Sequence, residues 1–230
     1  HWMGGMGIIV LSLAILPMLG VGGMQLFQAE VPGPTADRLK PRIQDTAKLL
    51  WGVYILLTAM EALLLMVGGM NLYEALCHAF ATLATGGFST RDASVAAFSN
   101  PFIDWVITFF MFLAGINFSL HYYALKGRIG EYFRNQECLF YVSITLVAIF
   151  LLMAFNHGKV YDSLADNLRF SAFQAVSILT TTGFGTADYE LWPPATSCIF
   201  IFLMFVGGCA GSTGGGMKVA ADDTTSFAMR

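Results

Sequence analysis

Charge is what this sequence has little of. Only 12% of its 230 residues are charged, 56% are hydrophobic, and the mean hydropathy is +0.65. Soluble chains carry about 25% charged residues, so the shortage excludes a soluble domain and points to an integral membrane protein. The net charge of −3 says little as a total, and no nucleic-acid partner is expected. Paired cysteine spacing is also missing. Cys77, Cys138, Cys198 and Cys209 are scattered in or near apolar runs, which argues against a zinc or redox motif and for inert buried thiols. The four histidines are equally dispersed. At the opening His1-Trp2-Met3 there is neither a basic n-region nor a clear cleavage site, so no signal peptide is expected and the chain reads as an internal piece of a longer protein.

What is present is a repeat. Leu179-Thr180-Thr181-Thr182-Gly183-Phe184-Gly185-Thr186 is a polar, Gly-bearing stretch in an otherwise apolar chain, and Leu83-Ala84-Thr85-Gly86-Gly87-Phe88-Ser89-Thr90 repeats its pattern 96 positions upstream. Each copy follows an amphipathic run too short to cross a bilayer, Leu72 to Ala84 and Leu168 to Leu179, and precedes a long apolar segment. Helix, short dipping helix, extended loop, helix is the plan of a pore loop, met twice. A cation crossing lipid exchanges its water shell for other oxygens, and backbone carbonyls of an extended loop can supply them. Gly reaches the φ > 0 conformations that this requires at little steric cost. Thr85, Thr90, Thr181, Thr182 and Thr186 can satisfy the loop backbone or offer hydroxyls, and Phe88 and Phe184 read as wedges that hold the loops. A Gly-Thr turn capping a helix at the membrane surface would explain one copy, but not two in matching hairpins.

Five spans are expected: Trp2 to Phe27, Ala47 to Gly69, Phe102 to Leu125, Cys138 to Phe155, and a last one starting at Trp192. About 20 apolar residues suffice for a crossing. Gly4, Gly5, Gly7, Gly20, Gly22 and Gly23 in the first would allow close helix approach. Glu61 lies well inside the second, where an ionisable group is costly and faces the bundle or water; a structural hydrogen bond to another helix or loop is the expected role. His78, on the first short helix, is expected to be a satisfied interhelical residue. In the third span Gly115, Asn117, Ser119 and His121 could line a cavity or bind neighbouring helices. The last span runs from Pro193 and Pro194 into Gly207-Gly208-Cys209-Ala210-Gly211-Ser212-Thr213-Gly214-Gly215-Gly216, where each helical Gly costs about 1 kcal/mol relative to Ala. It should break inside the membrane.

Basic residues set the orientation. One side carries Arg38, Lys40, Arg42, Lys48, Lys126, Arg128, Arg134 and Lys218; the other, with both loops, has Arg91, Lys159 and Arg169. The first side is therefore cytoplasmic. On the loop side Glu74, Asp92, Asp104, Asp162, Asp166, Asp188 and Glu190 outnumber the bases, and such an entrance concentrates cations.

The two loops together with Gly207 to Lys218 resemble the TrkH type of the Trk/Ktr/HKT superfamily of potassium-uptake proteins, over nearly the whole chain to about Val219. The resemblance implies an all-α membrane fold of repeated helix, pore loop, helix hairpins, with four repeats arranged in pseudo-fourfold symmetry around a potassium pathway. Mapped on this chain, residues 1–28 are the last helix of a preceding repeat, 47–126 one pore-loop repeat, 138–218 another with a broken inner helix, and 219–230 an atypical polar tail. It implies one filter glycine per repeat, Gly87 and Gly183, with Thr85, Gly86, Thr181 and Thr182 beside them presenting carbonyls to the ion. It also implies a gate at Gly207, Gly208, Gly211, Ser212, Gly214, Gly215 and Gly216, K+ as the transported ion without an organic cofactor, and location in the bacterial inner membrane. A homodimer controlled by a cytoplasmic nucleotide-binding regulatory subunit is the expected assembly. The sequence departs from the family in lacking the first filter loop and the fourth repeat, and in the polar Ala220 to Arg230. Two readings compete: an intramembrane serine hydrolase using Ser212 with His121 as base, and a non-conducting membrane scaffold.

Overall fold

The computed structural model describes residues 1–7 and 43–216. Most of the expected first span, with Gly20, Gly22 and Gly23, and the tail with Lys218 lie outside the described residues. So do the connector bases Arg38, Lys40 and Arg42.

Helix α1, Ile43–Val67, has 25 residues and at about 1.5 Å per residue can cross a bilayer. It stops at Gly68-Gly69: Gly69 has φ +99, and the Met70 amide donates back to Leu65 O at 3.1 Å, so a left-handed glycine closes the last turn. Asn71 starts α2, Leu72–Leu83, by accepting from the Glu74 amide at 2.8 Å. Its 12 residues reach only about 18 Å, too short for a span. Asn100 and Pro101 open α3, Pro101–Ala114, Pro sitting where its missing N–H costs nothing.

The third span departs from expectation. It is not one helix but α3 followed by α4, Phe118–Leu125, with a 104° bend between them. Two local causes act at the break. The Tyr141 ring occupies the place where a side chain at Gly115 would lie, and the Asn117 side chain accepts from the Ser119 amide at 2.9 Å, capping a new helix. After the short α5, Gly130–Arg134, comes α6, Gln136–Asn156, a span of 21 residues capped by Asn135. The second dipping helix, α7, spans Leu164–Leu179, four residues longer than expected. Ser163 caps it and Asp166 sits in its first turn, where an acid meets the positive helix end. Last comes α8, Pro194–Val206.

The repeats interlock. Phe173, Val176 and Phe184 of the second repeat lie in one core cluster with Tyr54, Leu65, Ile107, Phe110 and Phe118 of the first. Arg169 on α7 reaches Asp104 on α3 at 3.4 Å and Asp166 at 2.9 Å, with Arg169 and Asp104 largely buried. On α6, Leu146, Val147 and Phe150 are exposed and form an outward apolar face.

Glu61 is the acid inside the second span. It is completely buried and neither carboxyl oxygen has a hydrogen-bond partner among the described residues. Thr82 lies beside it, but that hydroxyl donates to His78 O at 2.8 Å. Removing an unsatisfied buried polar group recovers about 1–3 kcal/mol. Glu61→Met is therefore expected to raise the thermal unfolding midpoint of the detergent-solubilised protein; a lowered midpoint would mean that the carboxyl has a stabilising partner.

Candidate ion pathway

The two loops adopt the same turn, residue for residue. Past α2, Thr85 has φ 51 and Gly87 φ 66; past α7, Thr181 has φ 60 and Gly183 φ 84. Hydrogen bonds repeat at the same offset. Thr85 N donates to Thr82 O at 2.9 Å and Gly86 N to Ala81 O at 2.7 Å, while Thr181 N donates to Ile178 O at 3.0 Å and Thr182 N to Ser177 O at 2.9 Å. A threonine with positive φ is uncommon because of its β-branch, and such strain persists only where the surroundings over-determine it.

The loops also meet. A Cβ on Gly87 would fall on the Thr182 carbonyl oxygen and within 3.1 Å of the Gly183 carbonyl carbon, whereas nothing lies within 4 Å of that position on Gly183. Both dipping helices aim their C-terminal ends at this junction, and neither carries a basic residue in its last turn. Helix C-termini bear partial negative charge, so the junction favours cations. Outside it, Gly185 N donates to Ser94 Oγ at 3.2 Å and Ala96 N to Gly185 O at 3.1 Å, which fastens the second loop to the turn after the first.

His78 supports both loops. Its Nδ1 lies 2.7 Å from Glu74 O and its Nε2 2.9 Å from Ser89 Oγ. A carbonyl only accepts, so in the neutral ring Nδ1 donates and Nε2 accepts from the serine. The ring stacks on Phe184. The two phenylalanines are not equivalent wedges: Phe184 is 1% exposed but Phe88 is 67% exposed. Phe184 packs against the dipping helix of the copy before it, and among the described residues Phe88 has no such helix to meet.

Around the junction the threonine hydroxyls are engaged within the protein, whereas Thr90 Oγ1 and Thr186 Oγ1, further along each loop, have no hydrogen-bond partner among the described residues. Thr180 Oγ1 and Thr182 Oγ1 are 2.8 Å apart. Thr85 Oγ1 is 2.7 Å from Ala84 O and 2.9 Å from Thr213 O, and Thr181 Oγ1 accepts from Gly215 N at 2.8 Å. The loops' free oxygens at the junction are therefore backbone carbonyls.

Below the loops lies residue 207–216, the irregular end of α8. Gly207 turns the chain with φ 68, and a Cβ there would meet Gly215 O at 2.5 Å. Gly207, Gly208, Ser212 and Gly214 are buried, Gly211 is intermediate, and Gly215 and Gly216 are exposed. The segment seals the break in the third span. Cys209 N donates to Gly115 O at 2.9 Å, Thr213 N and Oγ1 to Ala114 O at 3.3 and 3.1 Å, and Phe118 N to Gly211 O at 3.2 Å. Helix-end groups at membrane depth thus find partners in the segment.

The hydrolase arrangement is not present. Ser212 Oγ donates to Cys209 O at 2.6 Å. His121 Nε2 lies 2.9 Å from Leu113 O and Nδ1 2.6 Å from the Tyr132 hydroxyl, so both nitrogens are taken, and burial pushes the Tyr132 phenol up to about 12. A nucleophile needs its base within hydrogen-bond reach. No group of three or more His, Cys, Asp or Glu side chains could hold a metal among the described residues. On the side that carries both loops Arg91 pairs with Glu74, and Arg169 with Asp104 and Asp166. Asp92, Asp162, Asp188 and Glu190 remain exposed there, so that side keeps a negative bias.

Two re-entrant helix-and-loop hairpins meeting between apolar spans define a pore-loop membrane protein. The TrkH family model, described as a cation transport protein, matches residues 1–156 and 136–221. The chain belongs to the TrkH family, whose members are multi-pass proteins of the bacterial inner membrane. It is 48% identical over 223 residues to the Trk system potassium uptake protein TrkH of Salmonella typhimurium, covering 95% of this chain and 46% of that one. To the Trk system potassium uptake protein TrkG of Escherichia coli it is 39% identical over 222 residues, covering 95% and 45%. The crystal structure of the potassium transporter TrkH from Vibrio parahaemolyticus matches with a TM-score of 0.78 at 38% identity, over 94% of this chain and 44% of that one. The chain thus spans about half the length of the curated relatives it matches.

The two glycines differ in what a methyl group would meet. Gly183→Ala adds only backbone strain, about 1–2 kcal/mol, and Gly87→Ala adds a collision with the Thr182 carbonyl as well. Thermal unfolding should show the larger loss for Gly87→Ala; equal losses would contradict the close approach of the loops.

Proposed function

We propose that the parent protein of this chain takes up potassium through a filter of backbone carbonyls, to which these repeats contribute Gly87 and Gly183 with Thr85, Gly86, Thr181 and Thr182. The single observation that carries the reading is the contact of the Gly87 and Thr182–Gly183 backbones at the C-terminal ends of two dipping helices. A dehydrated cation needs oxygens held in advance, and a pair of like-folded loops whose Thr85, Thr181 and Thr182 hydroxyls are engaged within the protein leaves carbonyls for that task. The matched relatives are named potassium uptake proteins, which supports K+ as the cargo. No organic cofactor is invoked.

The segment at Gly207, Gly208, Gly211, Ser212, Gly214, Gly215 and Gly216 is the gate in this reading, because it lies directly under both loops and is joined to them by side-chain hydrogen bonds. The inner membrane holds the assembly as a homodimer, and a cytoplasmic nucleotide-binding subunit, as expected from the family resemblance, acts on the gate from below. A scaffold role would leave the duplicated turn and its strained threonines without a purpose.

Rubidium uptake by vesicles containing the full-length parent, with and without competing sodium, tests the filter. Gly183→Ala or Gly183→Ser should relax the preference for rubidium over sodium, and an unchanged ratio counts against the assignment. Shortening residue 207–216 should raise basal flux; the same flux as the parent removes the gating role.

A further inference from the structure

Thr85 and Thr181 occupy equivalent places 96 positions apart, and each sends its hydroxyl to the glycine-rich segment rather than leaving it free. Thr85 Oγ1 is 2.9 Å from Thr213 O, and Thr181 Oγ1 accepts from Gly215 N at 2.8 Å. We propose that this pair of hydroxyls is a two-point latch that positions the gate segment against the filter, so that loop geometry and gate closure are one coupled variable. The proposal rests on the filter-and-gate reading above and deepens it.

Three observations carry it. First, both threonines hold positive φ, 51 and 60, and a β-branched residue is a poor choice for such a backbone. Gly would relieve the strain, so the hydroxyl is what the position needs. Second, the two bonds have opposite polarity. Thr85 donates to the segment, and Thr181 accepts from it. Together they clamp Thr213 and Gly215, which flank buried Gly214, whose Cβ position would lie 3.3 Å from Thr180 O. Third, the Thr85 bond has a ready alternative. A hydroxyl has one proton, yet Thr85 Oγ1 lies 2.7 Å from its own Ala84 O as well as 2.9 Å from Thr213 O. When the proton turns to Ala84 O, the segment loses one anchor and the hydroxyl keeps a partner. Opening therefore leaves no unsatisfied donor at Thr85, which keeps its cost low.

Thr85 and Thr181 are accordingly positioning residues, acting on the ion path through the gate. The decisive comparison is Ala against Ser at each position in the full-length parent, because the pair differs only in the hydroxyl and neither is β-branched. Basal rubidium flux is read in vesicles alongside rubidium-to-sodium selectivity. One lost hydrogen bond is worth about 0.5–1.5 kcal/mol, so Thr85→Ala and Thr181→Ala should each raise basal flux roughly 2- to 10-fold, with Ser restoring tight closure. The latch is overturned if the Ala and Ser variants leak equally, if neither leaks more than the parent, or if the Ala variants change selectivity without changing basal flux, which would make the hydroxyls ion ligands. Shortening residue 207–216 in the same assay separates the two levels. A leak there with none in the Ala variants removes the latch alone, and no leak in either removes the gate reading with it.

Discussion

Unpaired backbone at membrane depth is the constraint on which the described structure depends. Lipid offers no hydrogen bonds, so every irregular stretch must be satisfied by another part of the protein. Three such stretches occur here: the two loops and the segment after Val206, with the Gly115–Asn117 break beside them. Each partly satisfies another. The segment supplies partners for Ala114 O, Gly115 O and the Phe118 amide, the loops' threonines bond the segment, and the turn at Ser94 and Ala96 holds the outer end of the second loop. No single stretch is stable at this depth alone.

This mutual satisfaction links local sequence to function. Helix-breaking glycines normally weaken a span, but here they let backbones approach within contact distance at Gly87 and Gly207. The close approach leaves room for main-chain oxygens near the junction and little for side chains. Dipping helices then direct their C-terminal dipoles to the same point, and exposed acids outside it add a longer-ranged attraction for cations. The loop junction, the glycine-rich segment beneath it and the acidic rim follow from one packing arrangement.

Much of this was legible in the residues. The repeated Gly-Phe-(Ser/Gly)-Thr pattern marked both loops, and the glycine run marked the end of α8, because duplicated turn chemistry and clustered helix breakers are local signals. Other features were not. The break at Gly115 depends on the Tyr141 ring arriving from α6, a tertiary contact that an apolar run from Phe102 to Leu125 conceals. Phe88 and Phe184 look alike in sequence and differ in burial because only one has a preceding copy to pack against among the described residues. For Glu61, only the positions of its neighbours show that neither oxygen has a partner in hydrogen-bond range among the described residues. The early start of α7 was readable, since Ser163 followed by Asp166 is a capping pattern.

The central claim is that main-chain oxygens around Gly87 and Gly183 receive a dehydrated monovalent cation. Anomalous diffraction from crystals of the full-length parent soaked in thallium or rubidium measures that directly. The account predicts a peak on the axis between the two loops, within coordination distance of their carbonyls and above the segment at residue 207–216. A map with cation density only elsewhere, and none at the junction of Gly87 with Thr182 and Gly183, would contradict it.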